Sequence, residues 1–397
     1  SGEISLIGSI KVTNGATLTI APGTRITVDS SGSYKKKILV DSDSFLVASS
    51  EGDSIVFRSD NSTPGSWAGI EFSGNTNSNS STGSVLKKVH IKDSKNAVTV
   101  NGQGILVEGC IFEGNDKSIY LKNTNDVKIT NSTFSDHGGG IDTPYETEGY
   151  GPHLNTVIAH NTFQGGGTAI AVWPNQRNIK NLTINNNTIA ATHSEGIRVG
   201  GGGYGSHLGD IQINQNDINS ANGISIDAYS WINSATPGLL ITKNDITGSG
   251  VGLNFGHVDN MEANNIQVKG NNFSNNSTGI KYINYNSFGQ GPHIDIYDNK
   301  FTSVSTGIDM PGVAVSARSN TFISASKSVL SHANSHTIFA GNDIRGFSGE
   351  SIFHTRDAND TGTPIIFSTN YFDSASSAAD LADDGAENFL YKAIIVD

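Results

Sequence analysis

Ile158-Ala159-His160-Asn161-Thr162-Phe163 reads as the end of an apolar strand, a corner at Asn, and the start of the next strand. The pattern of Asn, any residue, then Phe or Ile returns at Asn187-Thr188-Ile189, Asn216-Asp217-Ile218, Asn244-Asp245-Ile246 and Asn271-Asn272-Phe273. It continues at Asn299-Lys300-Phe301, Asn320-Thr321-Phe322, Asn342-Asp343-Ile344 and Asn370-Tyr371-Phe372. Two earlier copies, Cys110-Ile111-Phe112 and Ser132-Thr133-Phe134, lack the Asn. Successive copies are 21 to 29 residues apart.

A second pattern precedes the first in each unit: a small residue, usually Gly, then an aliphatic one. Gly140-Ile141, Ala169-Ile170, Gly196-Ile197, Gly223-Ile224, Gly252-Leu253, Gly279-Ile280 and Gly307-Ile308 carry it. Ser328-Val329 and Ser351-Ile352 are read as later copies. A period of this size holding two or three short strands means a parallel β-solenoid. Successive coils then stack about 4.8 Å apart, and the Ile and Phe columns form a continuous core. The repeated Asn sits at one turn of every coil, where its amide can bond to the Asn above and below. That column is structural and is set aside as a site.

Composition excludes the competing classes. With 46 Gly and only 16% charged residues in 397, a helical bundle or coiled coil is ruled out. Regularly spaced Ile, Val, Leu and Phe argue against disorder. A net charge of −12 argues against nucleic acid and anionic membranes as partners. The single cysteine, Cys110, excludes a disulfide framework and a cysteine metal site. No apolar run reaches transmembrane length. An acidic, Asn/Ser/Thr/Gly-rich chain with one cysteine is expected at an extracellular or cell-surface location.

The sequence resembles the right-handed parallel β-helix proteins of the pectate-lyase-like superfamily. The resemblance rests on the repeats, on Leu18-Thr19-Ile20-Ala21-Pro22-Gly23-Thr24 as a first coil, and on Ser54-Ile55-Val56-Phe57 and Trp67-Ala68-Gly69-Ile70-Glu71-Phe72 as the next ones. Asn370-Tyr371-Phe372 through Ile394-Ile395-Val396-Asp397 resembles a closing tail. The expectation is an all-β fold, a single right-handed parallel β-helix of about a dozen coils over 1–397. Residues 1–90 would form the N-terminal coils, 91–375 the regular coils and 376–397 the closing segment. The superfamily holds polysaccharide lyases, hydrolases, epimerases, tailspikes and adhesins, so the fold alone does not give an activity.

In the Gly–aliphatic strand the aliphatic points inward and the next residue points out. The outward column reads Thr99, Tyr120, Asp142, Ala171, Arg198, Ser225, Asn254, Lys281, Asp309, Leu330 and Phe353. Two residues further on lie Trp173 and Asp227. Asp142, Arg198 and Asp227 are the catalytic candidates. The longer turns that follow this strand in the middle of the chain are rich in aromatics and His, which stack on sugar faces while their polar tips reach hydroxyls. Tyr145, Glu146, Trp173, Tyr204, His207, Tyr229, Trp231, Asn254 and Lys281 are therefore the substrate-binding candidates. Lys281 with Asp309 reads equally as a surface ion pair, and Gly-Pro-His at 151–153 and 291–293 as a turn. No metal ligand set is assigned and no cofactor is expected; Asp142, Glu146 and Glu148 are the residues a calcium ion would use.

The reading is an extracellular polysaccharide-active protein that breaks glycosidic bonds by hydrolysis or elimination in a mid-helix groove, its partner a polysaccharide or surface glycan and its state monomeric. The alternative is a non-catalytic adhesin or glycan-binding module. Hydrolysis needs two carboxylates, and elimination needs a base and a cation over the uronate carboxylate, for which Arg198 or Lys281 would serve. The chain has neither the Asn-Thr-Asp, Asp-Asp and Gly-His-Gly set of polygalacturonases nor the Tyr-Gly-Phe-Asp-Pro-His-Glu run of mannuronan epimerases. Tyr150-Gly151-Pro152-His153 only faintly echoes the latter.

Overall fold

At each marked corner the residue before the Asn takes a left-handed backbone: His160 at φ 57°, Gln215 at 54°, Lys243 at 56°, Asp298 at 58° and Ser319 at 55°. This conformation turns the chain sharply and leaves the corner amides facing inward. The Asn side chain then satisfies them. In the computed structural model Asn161 donates from both its backbone N and its Nδ2 to Asn187 Oδ1, each at 3.0 Å. Its Nδ2 also reaches Ile129 O at 3.0 Å. The ladder in the second half runs from Asn216 through Asn244, Asn271, Asn299, Asn320 and Asn342 to Asn370 with the same paired bonds, 2.8–3.1 Å long. All these Asn side chains are buried, so an amide here costs little only because every bond is made.

The structure describes residues 2–74, 83–102, 104–143, 153–173, 178–190, 192–201, 208–228, 238–248, 250–256, 266–283, 293–311, 314–331, 337–348, 353–354, 365–373, 382–383, 389–391 and 394–396. Among them every element is a strand, and every strand pairing with a recorded register is parallel. The fold is a right-handed parallel β-helix. The chain divides into two compact units, Ser1–Arg198 and Val199–Asp397. In each unit three strands make a coil. A first-sheet strand follows the Asn corner, a second-sheet strand carries the Gly–aliphatic pair, and a third-sheet strand leads to the next corner.

In the first unit these are, for one coil, Ile111–Glu113, Lys117–Asn125 and Val127–Thr130. Phe112, Phe134 and Phe163 are register partners on successive first-sheet strands. Their rings stack at 4.9 and 4.6 Å with planes within 9°. In the second unit Phe273, Phe301 and Phe322 stack likewise at 5.0 and 4.6 Å. The Phe column explains the small residue before the aliphatic. A Cβ on Gly140 would lie 2.4 Å from Ala169 O and 2.9 Å from the Phe163 ring, and one on Gly279 would lie 2.6 Å from the Phe301 ring.

Among the described residues the first sheet has eight strands in each unit. Eleven of the sixteen follow the sequence corners quoted above. Four more precede Ile111, where the coils lack the Asn corner although Gly69-Ile70 and Ala97-Val98 keep the small–aliphatic pair in register with Ile119, and Ile394–Val396 pairs with Asn370–Phe372 as the last. Trp67 is fully buried there, its indole N–H on Lys92 O at 2.8 Å.

One register expectation is overturned. Thr306 pairs with Ser328 and Ile308 with Leu330, so Val329-Leu330 stands where Gly307-Ile308 stood one coil earlier. Leu330 is inward and buried, Ser331 is the register partner of Asp309, and Phe353 is the register partner of Leu330. Ser328 misled because it is small, but a coil that buries Val329 in the Gly position makes the one-residue slip that reverses faces.

Candidate functional site

Thr99, Tyr120 and Asp142 are consecutive register partners on the second sheet of the first unit. Ile141 pairs with Ile170, which makes Ala171 the next outward position, and Arg198 lies on the following strand, Glu195–Gly201. The inferred column is therefore correct from Thr99 to Arg198. A surface cleft of about 380 Å³ opens on it, walled by Lys117, Tyr120, Asp142, Trp173 and Arg198. Gly138, Gly139 and Ala171 lie low in the cleft, where small residues leave room.

Each side chain in the cleft is held by another. The Lys117 ammonium contacts Asp142 Oδ2 and lies over the Tyr120 ring, 4.6 Å from its centroid. Asp142 Oδ1 accepts the Thr143 N–H at 2.8 Å. Thr143 is buried, and its Oγ1 accepts the Trp173 N–H at 2.7 Å. One threonine thus ties the Asp142 carboxylate to the Trp173 backbone a coil away. The Arg198 guanidinium lies over the Trp173 ring at 3.8 Å, close enough for a strong cation–π contact. Its Nε is 3.2 Å from Glu195 Oε2, an ion pair by distance although the Nε–H is poorly aligned for a hydrogen bond. Thr168 Oγ1 donates to the same Glu195 oxygen at 3.5 Å, at the long limit of such a bond. Two cations and two carboxylates therefore balance within the site.

Trp173 was expected to offer its ring to a ligand; the structure places a guanidinium on it. Lys117, Thr143, Thr168 and Glu195 were not singled out from sequence. Lys117 and Glu195 stand two residues before Ile119 and Ile197, where strict alternation assigns them inward. Both lie at the first residue of their strand, just past the corner from the first sheet, and their side chains remain 37% and 13% exposed.

The remaining candidates belong elsewhere. Asp227, Asn254 and Lys281 lie on the second sheet of the second unit, with Ser225, Asn254, Lys281 and Asp309 in register as the sequence predicts. Asp227 falls beside Gly256, where a Cβ would come within 3.0 Å of its carboxyl group. Lys281 and Asp309 are register neighbours on adjacent strands. Tyr145, Glu146, Glu148, Tyr204, His207, Tyr229 and Trp231 lie outside the described residues, and with them two of the three residues named for calcium. Among the described residues no three His, Cys, Asp or Glu side chains cluster to hold a metal, and no helix is long and apolar enough to cross a membrane.

His153 starts the strand His153–Ala159 and is buried, its Nδ1 2.8 Å from Thr124 Oγ1. Burial pushes its pKa down to about 4, so it is neutral core rather than a site acid. Burial also pushes the Cys110 thiol up to about 12, which leaves it inert as a nucleophile.

Residues 42–208 match the family model described as "Right handed beta helix region", a span that contains the whole cleft. Among solved structures, the A-module of mannuronan C-5 epimerase AlgE6 from Azotobacter vinelandii is similar over 94% of this chain and 90% of that one, at 11% identity and a TM-score of 0.38. No curated protein matches the sequence.

Proposed function

We propose that the protein is a polysaccharide-active β-helix protein and that the cleft of the first unit holds a glycan chain. One observation carries this reading. Two ring–cation pairs, Tyr120 with Lys117 and Trp173 with Arg198, share one outward face with Asp142 and the small Ala171 between them. Amphipathic rings suit the apolar faces and hydroxyl rims of sugars, and a few placed polar groups fix orientation. The acidic, hydroxyl- and amide-rich composition fits an extracellular site of action.

Bond cleavage is the second reading. Asp142 and Glu195 are the two carboxylates that hydrolysis calls for. Their existing partners, Lys117 and Arg198, favour recognition over proton transfer, because each carboxylate already neutralises a cation. The experiment is a panel of polysaccharides scored for binding, for new reducing ends and for the absorbance of unsaturated uronate. Binding without either product supports recognition. New reducing ends without unsaturated-uronate absorbance, lost in Asp142→Asn, would instead establish hydrolysis, and failure to bind any polysaccharide would end the proposal.

A further inference from the structure

Arg198 carries more donors than its neighbours use. Its Nε faces Glu195, and among the described residues its two Nη groups have no protein partner. It lines the cleft, and 38% of its side chain is exposed. The other cation there, Lys117, is committed to Asp142 and stacked against Tyr120. Trp173 lies under the guanidinium and Glu195 beside it, so both the plane and the rotation of the fork are set from two sides.

We propose that Arg198 is the group that reads the ligand, offering its paired Nη–H donors to two adjacent hydroxyls of a neutral sugar, and that Trp173 and Glu195 are positioning residues for it. The inference rests on the glycan reading above and narrows it. A planar guanidinium matches two acceptors side by side, which an ammonium cannot do. A neutral ligand follows from the charge count. Among the described residues Lys117 and Arg198 are offset by Asp142 and Glu195, which leaves these side chains no net positive charge to draw a polyanion, and the chain as a whole is at −12. Vicinal hydroxyls, rather than a carboxylate, are then the acceptor pair that fits.

The test uses the full chain and three kinds of probe in binding titrations. These are neutral 1,4-linked mannan and xylan, which keep vicinal hydroxyls, the same polymers after periodate oxidation and borohydride reduction, which lack them, and polygalacturonate. The expected result is binding to a neutral polymer that falls about tenfold or more on periodate treatment, the loss of a charged hydrogen-bond pair. Arg198→Lys should bind as weakly and be insensitive to periodate. Trp173→Phe should retain part of the periodate sensitivity that Trp173→Leu loses, and Glu195→Gln should weaken binding without altering the unfolding midpoint. Tighter binding to polygalacturonate, or an Arg198→Lys variant matching wild type, would overturn the assignment to Arg198 while leaving a glycan site. Binding to none of the polymers would defeat the glycan reading itself.

Discussion

Thr143 joins Asp142 to Trp173: its backbone N–H donates to the Asp142 carboxylate at 2.8 Å, and its hydroxyl oxygen receives the Trp173 N–H at 2.7 Å. The outward residues of successive coils are therefore coupled as well as stacked. Most of the described cleft residues stand on second-sheet strands, with Thr143 and Trp173 one residue past strand ends, which gives them the rigidity that recognition needs.

The Asn ladder should dominate local stability. Asn271→Ala removes the acceptor of two bonds from Asn244 and the donors to Ile241 O and Asn299 Oδ1. Buried backbone groups are left unpaired, so the expected loss is about 2–5 kcal/mol in denaturant unfolding. Asn272→Ala, one residue along, removes only an exposed bond to Asp245 and should cost less than about 1 kcal/mol.

Adjacent glycines should respond oppositely to a methyl group. Gly140→Ala drives a Cβ into Ala169 O and the Phe163 ring, whereas at Gly139 the nearest atom, Asp142 Oδ2, is 3.8 Å away. Thermal unfolding should show Gly140→Ala destabilised by about 1–3 kcal/mol, the cost of overpacking, with Gly139→Ala close to wild type. Equal midpoints for the two would contradict the packing of the Phe column.

Acid should weaken the first unit through His153. Its folded pKa, about 4, lies below the ordinary 6.5, so as the pH falls the unfolded chain takes up the proton first. The contribution is fully present above about pH 6.5 and is lost between there and about 4, on the order of 3 kcal/mol in all. His193, also lowered by burial, acts in the same direction. Urea midpoints measured from pH 7 to 4.5 should fall less steeply for His153→Gln than for wild type. Parallel profiles would mean that His153 is not buried as a neutral ring.

The fold was largely legible because a repeat states the same physics many times. Asn161, Phe163 and Gly140 each recur with the spacing of a coil, and one reading of why they are needed applies to all copies. The cleft was legible only where alternation holds, at Tyr120, Asp142, Arg198 and Trp173. Lys117 and Glu195 escaped because a strand's first residue, just past a corner, does not obey period-two alternation. Leu330 was misplaced because Ser328 looks like the small partner that Val329 replaces. Nor could spacing show that Arg198 would lie on Trp173, since that depends on rotamers rather than register.

Titration of wild type and Trp173→Ala with the polysaccharide that wild type binds best, at equal unfolding midpoints, tests the central claim most directly. The account predicts weaker binding by on the order of 1–3 kcal/mol in the variant, because the ring that positions Arg198 is gone. Unchanged affinity in Trp173→Ala would contradict it and place glycan recognition outside this cleft.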